Sequence, residues 1–427
     1  MNPLSNLVHF VRESPVGLET VFFVSVTVLF GLYKLLTHTD ILYIRGIPKI
    51  PGALPVTGHL TQPGEDHTTV CEKWWRQYGR SVFQIRLVNT RAVILCTFHG
   101  LFSSIQGFTI GSSPWNESSR NKRKAASTTL SKAMMKNYDD MFDLESYCIV
   151  SDLHCDTESG ALEASFRPYI QRYALNTTLT LCYGIRMDEA YVDLLREILH
   201  VGSAISLLRL ASENYQDYIP ILRHLPKNVK NARSKDLRKR RDNAAILKDE
   251  ETRLTGVETI PGTLVSCIGS LCTPESVNDF EETIPYLNAI VKEAGRYYTV
   301  SNMSLPRKTM SDVRWGEAVI PKNTLVLISA QAGNHGTYYW GPDAGTFNPE
   351  RWLDAPTTPP SLYAEKPISS TPHLSFGAGS RSCPGATIAS KLFNAALFRL
   401  LSLYRDEASV SDPPSTDYID YNLIKAR

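Results

Sequence analysis

The stretch Phe376 to Gly385, FGAGSRSCPG, constrains this chain more than any other ten residues in it. Three glycines, a proline and one cysteine form a segment that must turn sharply, because glycine enters left-handed backbone without a Cβ penalty. The following residues, ATIASKLFNAALFRLL, have helical composition. Cys383 is therefore predicted just ahead of a helix N-terminus, whose positive dipole end favours an anionic sulfur. Gly377, Gly379 and Gly385 are expected to let backbone N–H groups turn towards that sulfur and stabilise it as a thiolate, ready for a metal. Arg381 can reach an anionic group beside the metal, and Phe376 can cover an apolar cofactor surface. A structural cysteine in a Gly-rich loop is the plain alternative.

With 427 residues, 43% of them apolar, the chain can bury a large core, which excludes a disordered chain. Lys plus Arg (45) nearly matches Asp plus Glu (43), so the basic excess of a dedicated nucleic-acid binder is missing and no nucleic-acid partner is expected. The eight cysteines include no Cys-x-x-Cys pair, so a reducing compartment is the default. His154-Cys155 is the only adjacent pair of soft ligands, with no second pair at metal spacing.

Thr20 to Tyr33, TVFFVSVTVLFGLY, is uncharged and mostly apolar, and with its flanks approaches the ~20 residues needed to span a bilayer. A membrane anchor over about 17–36 is expected; a cleaved signal peptide and a buried core helix are the rival readings. Lys34, Arg45 and Lys49 outnumber Arg12 ahead of the run, which predicts a cytosolic body, single-pass anchoring and the endoplasmic reticulum membrane as location. The expected organisation is residues 1–37 as the anchor segment, 38–60 as a stiff hinge with Pro48, Pro51 and Pro55, and 61–427 as the catalytic domain.

The body reads as mainly α with small β-sheets. Phe83 to Leu95 is predicted to form a hairpin turning at Asn89-Thr90. A second hairpin is expected around Trp315-Gly316, with a strand, a turn at Pro321–Thr324 and an apolar strand. Lys227 to Arg241 carries eight basic residues and one acid; it suits a solvated surface, an anionic lipid contact or an acidic partner.

Two further motifs accompany the cysteine loop. Glu293 and Arg296 stand one helical turn apart in IVKEAGRYYTV, where a carboxylate and a guanidinium can pair, and Arg351 in FNPERW can join them. In LTGVETIPGTL, Pro261 lacks an N–H and would open the helix beside Glu258 and Thr259, leaving a polar niche.

Phe376, Gly379, Arg381, Cys383 and Gly385 match Phe-x-x-Gly-x-Arg-x-Cys-x-Gly, and here the chain resembles the cytochrome P450 family. QRYALNTTLTLCYG, PYLNAIVKEAGRYYTV and DVRWGEAVIPKNT are more narrowly similar to its fungal phenylacetate-hydroxylase-like subgroup, over about residues 45–400. The resemblance implies the cytochrome P450 fold and haem b (iron protoporphyrin IX) with Cys383 as proximal thiolate, whose electron donation favours O–O cleavage. It implies that Glu293, Arg296 and Arg351 form a buried structural triad, that Glu258 and Thr259 relay protons, and that Trp115 and Arg120 join Arg381 at the haem propionates. It further implies O₂ and a small aromatic organic substrate drawn from fungal aromatic catabolism or secondary metabolism. Electrons would come from NADPH through NADPH-cytochrome P450 reductase, with Lys391 and Arg399 as contact candidates, since no dinucleotide fingerprint is evident.

The sequence departs from the family pattern in places. AAILKDEETRL is charged where the distal helix is usually apolar, only some thirty residues separate Thr259 from Glu293, and little sequence remains for the pocket cap after Leu95. Trp115 stands five residues, not four, before Arg120. Internal shortenings are the reading of these departures. The expected activity is monooxygenation of an organic substrate; a haem-binding relative without turnover is the alternative.

Overall fold

The computed structural model describes residues 18–62, 67–96, 117–159, 161–162, 164–184, 186–187, 261, 263–268, 283–304, 306–353, 373–377, 379 and 382–403. Among the described residues the architecture is mainly helical with two small sheets. Helix α1 (Leu18–Thr37) precedes α2 (His67–Tyr78), the strands β1 (Val82–Leu87) and β2 (Thr90–Leu95), and α3 (Glu117–Thr129). Helices α4 (Asp139–Asp156), α5 (Arg167–Tyr183) and α6 (Thr283–Tyr298) follow. Then come β3 (Arg307–Lys308), β4 (Val313–Trp315), β5 (Ala318–Ile320) and β6 (Leu325–Ile328), the short helices α7 (Ala330–Asn334) and α8 (Thr337–Trp340), and α9 (Ala386–Leu403).

The sheet follows from alternation. In β2, Ala92 and Ile94 face one apolar cluster while Val93 and Leu95 face another. In β6, Leu325 and Leu327 join the first cluster and Val326 and Ile328 the second. Strands apolar on both faces belong inside a sheet, and these two lie side by side, parallel, in the order β1-β2-β6-β3.

Two expectations change here. The first hairpin turns at Val88-Asn89, because Thr90 already pairs with Leu87. Val88 takes a left-handed φ of 55°, held by its N–H on the Thr57 carbonyl and by the Arg86 guanidinium donating to the Val88 carbonyl. The second hairpin closes earlier, through Gly316-Glu317 between β4 and β5. The Pro321–Thr324 turn does not fold the next strand back; it sends β6 into the larger sheet. Thr309 fixes that turn, its hydroxyl donating to the Pro321 carbonyl and accepting from the Thr324 N–H.

The Pro-rich segment lies against β1. The Gln84 side chain donates to the Ile44 carbonyl and Ile50 donates to the Gln84 carbonyl, while a Cβ on Gly58 would stand 2.2 Å from the Arg86 carbonyl oxygen. The prolines thus stiffen chain already tied to the sheet edge.

The helical core is shared by α4, α5, α6, α9 and the helical residues 263–268. Tyr173 shows the fit: buried in α5, it donates its hydroxyl to the Leu392 carbonyl of α9. By length and hydropathy α9 passes as a membrane span, yet Ile388, Leu392, Phe393, Ala396, Leu397 and Leu400 pack one face into this core. Helix α1 differs. Phe22, Phe23, Val24, Leu29 and Phe30 are all exposed on a helix of 20 residues, about 30 Å long.

Candidate active site around Cys383

The cysteine loop is built on a buried histidine. His373 accepts the Ser375 N–H at Nδ1, and its ring lies over Phe376 with centroids 5.4 Å apart. On the other side it fills the notch at Gly295 in α6, where a Cβ would stand 2.6 Å from Nε2. A 3-10 turn over Leu374–Phe376 leads out of this anchor. Gly377 (φ 66°) and Gly379 (φ 63°) then take the left-handed backbone that their sequence position predicts. Cys383 closes the loop, its N–H donating to the Phe376 carbonyl at 2.7 Å, immediately before α9.

Gly385 does something else: its backbone is not left-handed. A Cβ there would make only ordinary contact with the Cys383 sulfur at 3.7 Å, and the Gly385 N–H is directed at that sulfur. Cys383 itself is exposed. Desolvation by the protein packed around the sulfur pushes its pKa up, while the Gly385 N–H and the Arg123 charge pull it down.

Arg123 was not among the residues the sequence pointed to. It is buried on α3 and donates through Nη2 to the Ser382 carbonyl, whereas Arg120, the expected residue, is exposed on the same helix. Both line a cleft of about 390 Å³ with Lys124, Ser382, Cys383 and Thr387. Arg120, Arg123, Lys124 and Ser127 recur at i, i+3, i+4 and i+7, so a basic helical face was the available signal. Trp115, Arg381, Glu258 and Thr259 lie outside the described residues.

The structure brings Glu293, Arg296 and Arg351 together. Glu293 and Arg296 are fully buried and joined twice, at 2.6 and 2.8 Å. Arg351 adds a bond of 3.1 Å, and the Trp352 indole and Asn348 N–H also donate to the carboxylate. All five Arg296 donors are used, the remaining three on the carbonyls of Asn334, Ala344 and Thr346. The charges therefore survive burial because every lone pair and proton around them is matched.

Two neighbouring histidines carry a pH consequence. Burial, reinforced by the Arg296 charge, lowers the pKa of both His335 and His373 to about 3. The unfolded chain takes up protons near 6.5 and the folded chain does not, so their contribution is complete above about 6.5 and is lost as pH falls towards 3. Both act in the same direction, so the loss of stability accumulates as pH falls through that window. Thermal unfolding at pH 7 and pH 5 should show a lower midpoint at pH 5, and a smaller drop in His335→Asn.

A haem suits the donor set around Cys383. Among the described residues, no group of three His, Cys, Asp or Glu could hold a metal ion. A lone cysteine thiolate suits a metal whose other ligands come from a macrocycle, and the cations of the cleft suit the carboxylates such a macrocycle carries. The Cytochrome P450 family model matches residues 276–422, which include the triad and the cysteine loop. A phenylacetate 2-hydroxylase of Emericella nidulans is 34% identical, covering 96% of this chain and 92% of its own. The chain belongs to the cytochrome P450 family. It is a cytochrome P450 monooxygenase of the fungal, phenylacetate-hydroxylase-like subgroup, with the P450 fold and the haem cofactor that membership implies.

A 3-hydroxyphenylacetate 6-hydroxylase of Emericella nidulans is 27% identical to this P450, covering 90% of it and 86% of the relative. A cytochrome P450 monooxygenase, CYP3, of Mycosarcoma maydis is 28% identical over 79% and 77% of the two chains. The alignment with the 2-hydroxylase runs to 494 positions, more than the 427 residues of this P450, so the relative carries stretches that this chain lacks.

Proposed function

We propose that this P450 is a membrane-anchored haem-thiolate monooxygenase that hydroxylates a small aromatic acid or a related aromatic intermediate, with Cys383 as the iron ligand. The observation that carries this is the placement of Cys383 ahead of the N-terminus of α9, with the Gly385 N–H and the Arg123 guanidinium acting on its sulfur. Both Emericella nidulans relatives are named as hydroxylases of a phenylacetate compound, which supports the substrate class. Haem bound here supplies the reductive splitting of O₂ and the insertion of one oxygen atom into substrate. Arg123, Arg120 and Arg381, with Trp115, hold its carboxylates. Phe376, Gly379 and Gly385 shape the loop, and Glu258 and Thr259 move protons inwards from solvent.

Helix α1 supports anchoring by its length and exposed apolar surface, with residues 1–37 in the anchor segment, 38–60 leading into the body and 61–427 catalytic. The location is the endoplasmic reticulum membrane, with the body in the cytosol. Electrons arrive from NADPH through NADPH-cytochrome P450 reductase. Lys391 and Arg399 are its contact candidates, each now paired at the surface with an acid of α4, Asp139 and Asp143.

A second reading, haem binding without turnover, draws on the stretches that this chain lacks relative to the 2-hydroxylase. Turnover of arylacetic acids with reductase and NADPH separates the two. Hydroxylated product supports the first reading; its absence from haem-loaded protein, over arylacetates and related aromatic intermediates, supports the second. Arg123→Ala should reduce haem retention about tenfold, as loss of a charge-assisted hydrogen bond costs about 1.5–3 kcal/mol. Haem per protein after gel filtration checks this, and Arg120→Ala should change it less.

A further inference from the structure

We propose that Asn334 is a positioning residue that ties the buried ion-pair cluster of α6 to the cysteine loop and so fixes where the Cys383 sulfur points; the inference rests on Cys383 being the iron ligand. Asn334 ends α7 and is fully buried. Its Oδ1 accepts the Leu374 N–H at 2.8 Å, and its Nδ2 donates to the Thr299 hydroxyl at 2.9 Å and the Ser375 hydroxyl at 3.0 Å. Those hydroxyls have spent their own protons, Thr299 on the Arg296 carbonyl and Ser375 on the Gly295 carbonyl. Only an amide oriented this way meets one N–H and two hydroxyl oxygens at once.

The two ends of this network define its role. On one side, Arg296 Nη1 donates to the Asn334 carbonyl, so the residue is held by the cation that pairs with Glu293. On the other, Leu374 and Ser375 form the turn that ends at Phe376, whose carbonyl receives the Cys383 N–H. Two hydrogen bonds to the start of the turn thus reach Cys383 through one further bond. Asn334→Asp keeps the shape but puts an acceptor against two hydroxyls whose protons are engaged elsewhere. Ser375→Ala deletes one of the two ties, and Ser375→Thr keeps the hydroxyl.

The test uses the full chain expressed with haem supplied, reading haem per protein and the share of the reduced carbon-monoxide complex in the strongly red-shifted Soret band of thiolate ligation. In Asn334→Asp and Ser375→Ala that share should fall at least about twofold at unchanged haem per protein, while Ser375→Thr keeps it. A share unchanged in both, or one that falls only in step with lost haem, overturns the inference, since a residue that merely packs behaves that way. Should Asn334→Asp fail to fold, the two Ser375 variants decide by the same criteria. Cys383→Ala runs beside them. A wild-type chain without the band overturns the ligand reading and this inference together. A band that Cys383→Ala abolishes, but that Asn334 and Ser375 variants leave unchanged, overturns the inference alone.

Discussion

Cys383→Ala should yield a folded chain with no hydroxylation above background and no thiolate signature. Cys383 is an exposed residue, so in the haem-free chain its truncation opens no core cavity and should change stability by less than about 1 kcal/mol. The loop's other ties remain, namely the Cys383 N–H on the Phe376 carbonyl and the left-handed turns at Gly377 and Gly379. Thermal unfolding beside a turnover assay checks both halves of this expectation. A variant that keeps turnover contradicts Cys383 as ligand; one that unfolds contradicts the view that the loop is held by backbone and histidine contacts instead of by its sulfur.

The second large effect concerns stability. Glu293→Leu should cost about 3–5 kcal/mol, because it leaves two guanidinium groups, an indole N–H and a backbone N–H facing an apolar side chain in a site without solvent. With folding stabilities of about 5–15 kcal/mol as the usual range, that is a large fraction of the total. Arg296→Lys should cost nearly as much, since an ammonium has three donors where five are used and cannot grip the carboxylate twice. Denaturant midpoints and haem-bound yield should fall in both. A Glu293→Leu chain with unchanged midpoint would contradict the account of this cluster as the brace of the loop-bearing side of the molecule.

Cys383 and the Glu293–Arg296 pair were legible because their chemistry depends on local spacing: a helical turn for the pair, and glycines flanking a cysteine before a helix. The strands were legible for the same reason, through alternation in Phe83–Leu95. Which strand would neighbour which was not. Leu325 to Ile328 is apolar on both faces and suits the inside of any sheet, so its place between β2 and β3 depends on cores built from distant segments.

The contacts that shape the loop were hidden for a related reason. Arg123 meets Ser382 across 259 positions, and Asn334 meets Leu374 across 40. His373 fills a notch that exists only because Gly295 lacks a side chain. Each residue alone is an ordinary surface cation, amide or histidine in the sequence. Gly385 shows the finer limit: the sequence groups it with the turning glycines, yet its backbone is not left-handed and a Cβ there would meet the sulfur only at ordinary contact distance.

The most direct test of a Cys383-ligated haem is the reduced carbon-monoxide difference spectrum of membranes containing the full chain. A Soret band shifted far to the red, absent in Cys383→Ala, is the predicted result. Folded, haem-supplemented protein that shows no such band would contradict the account.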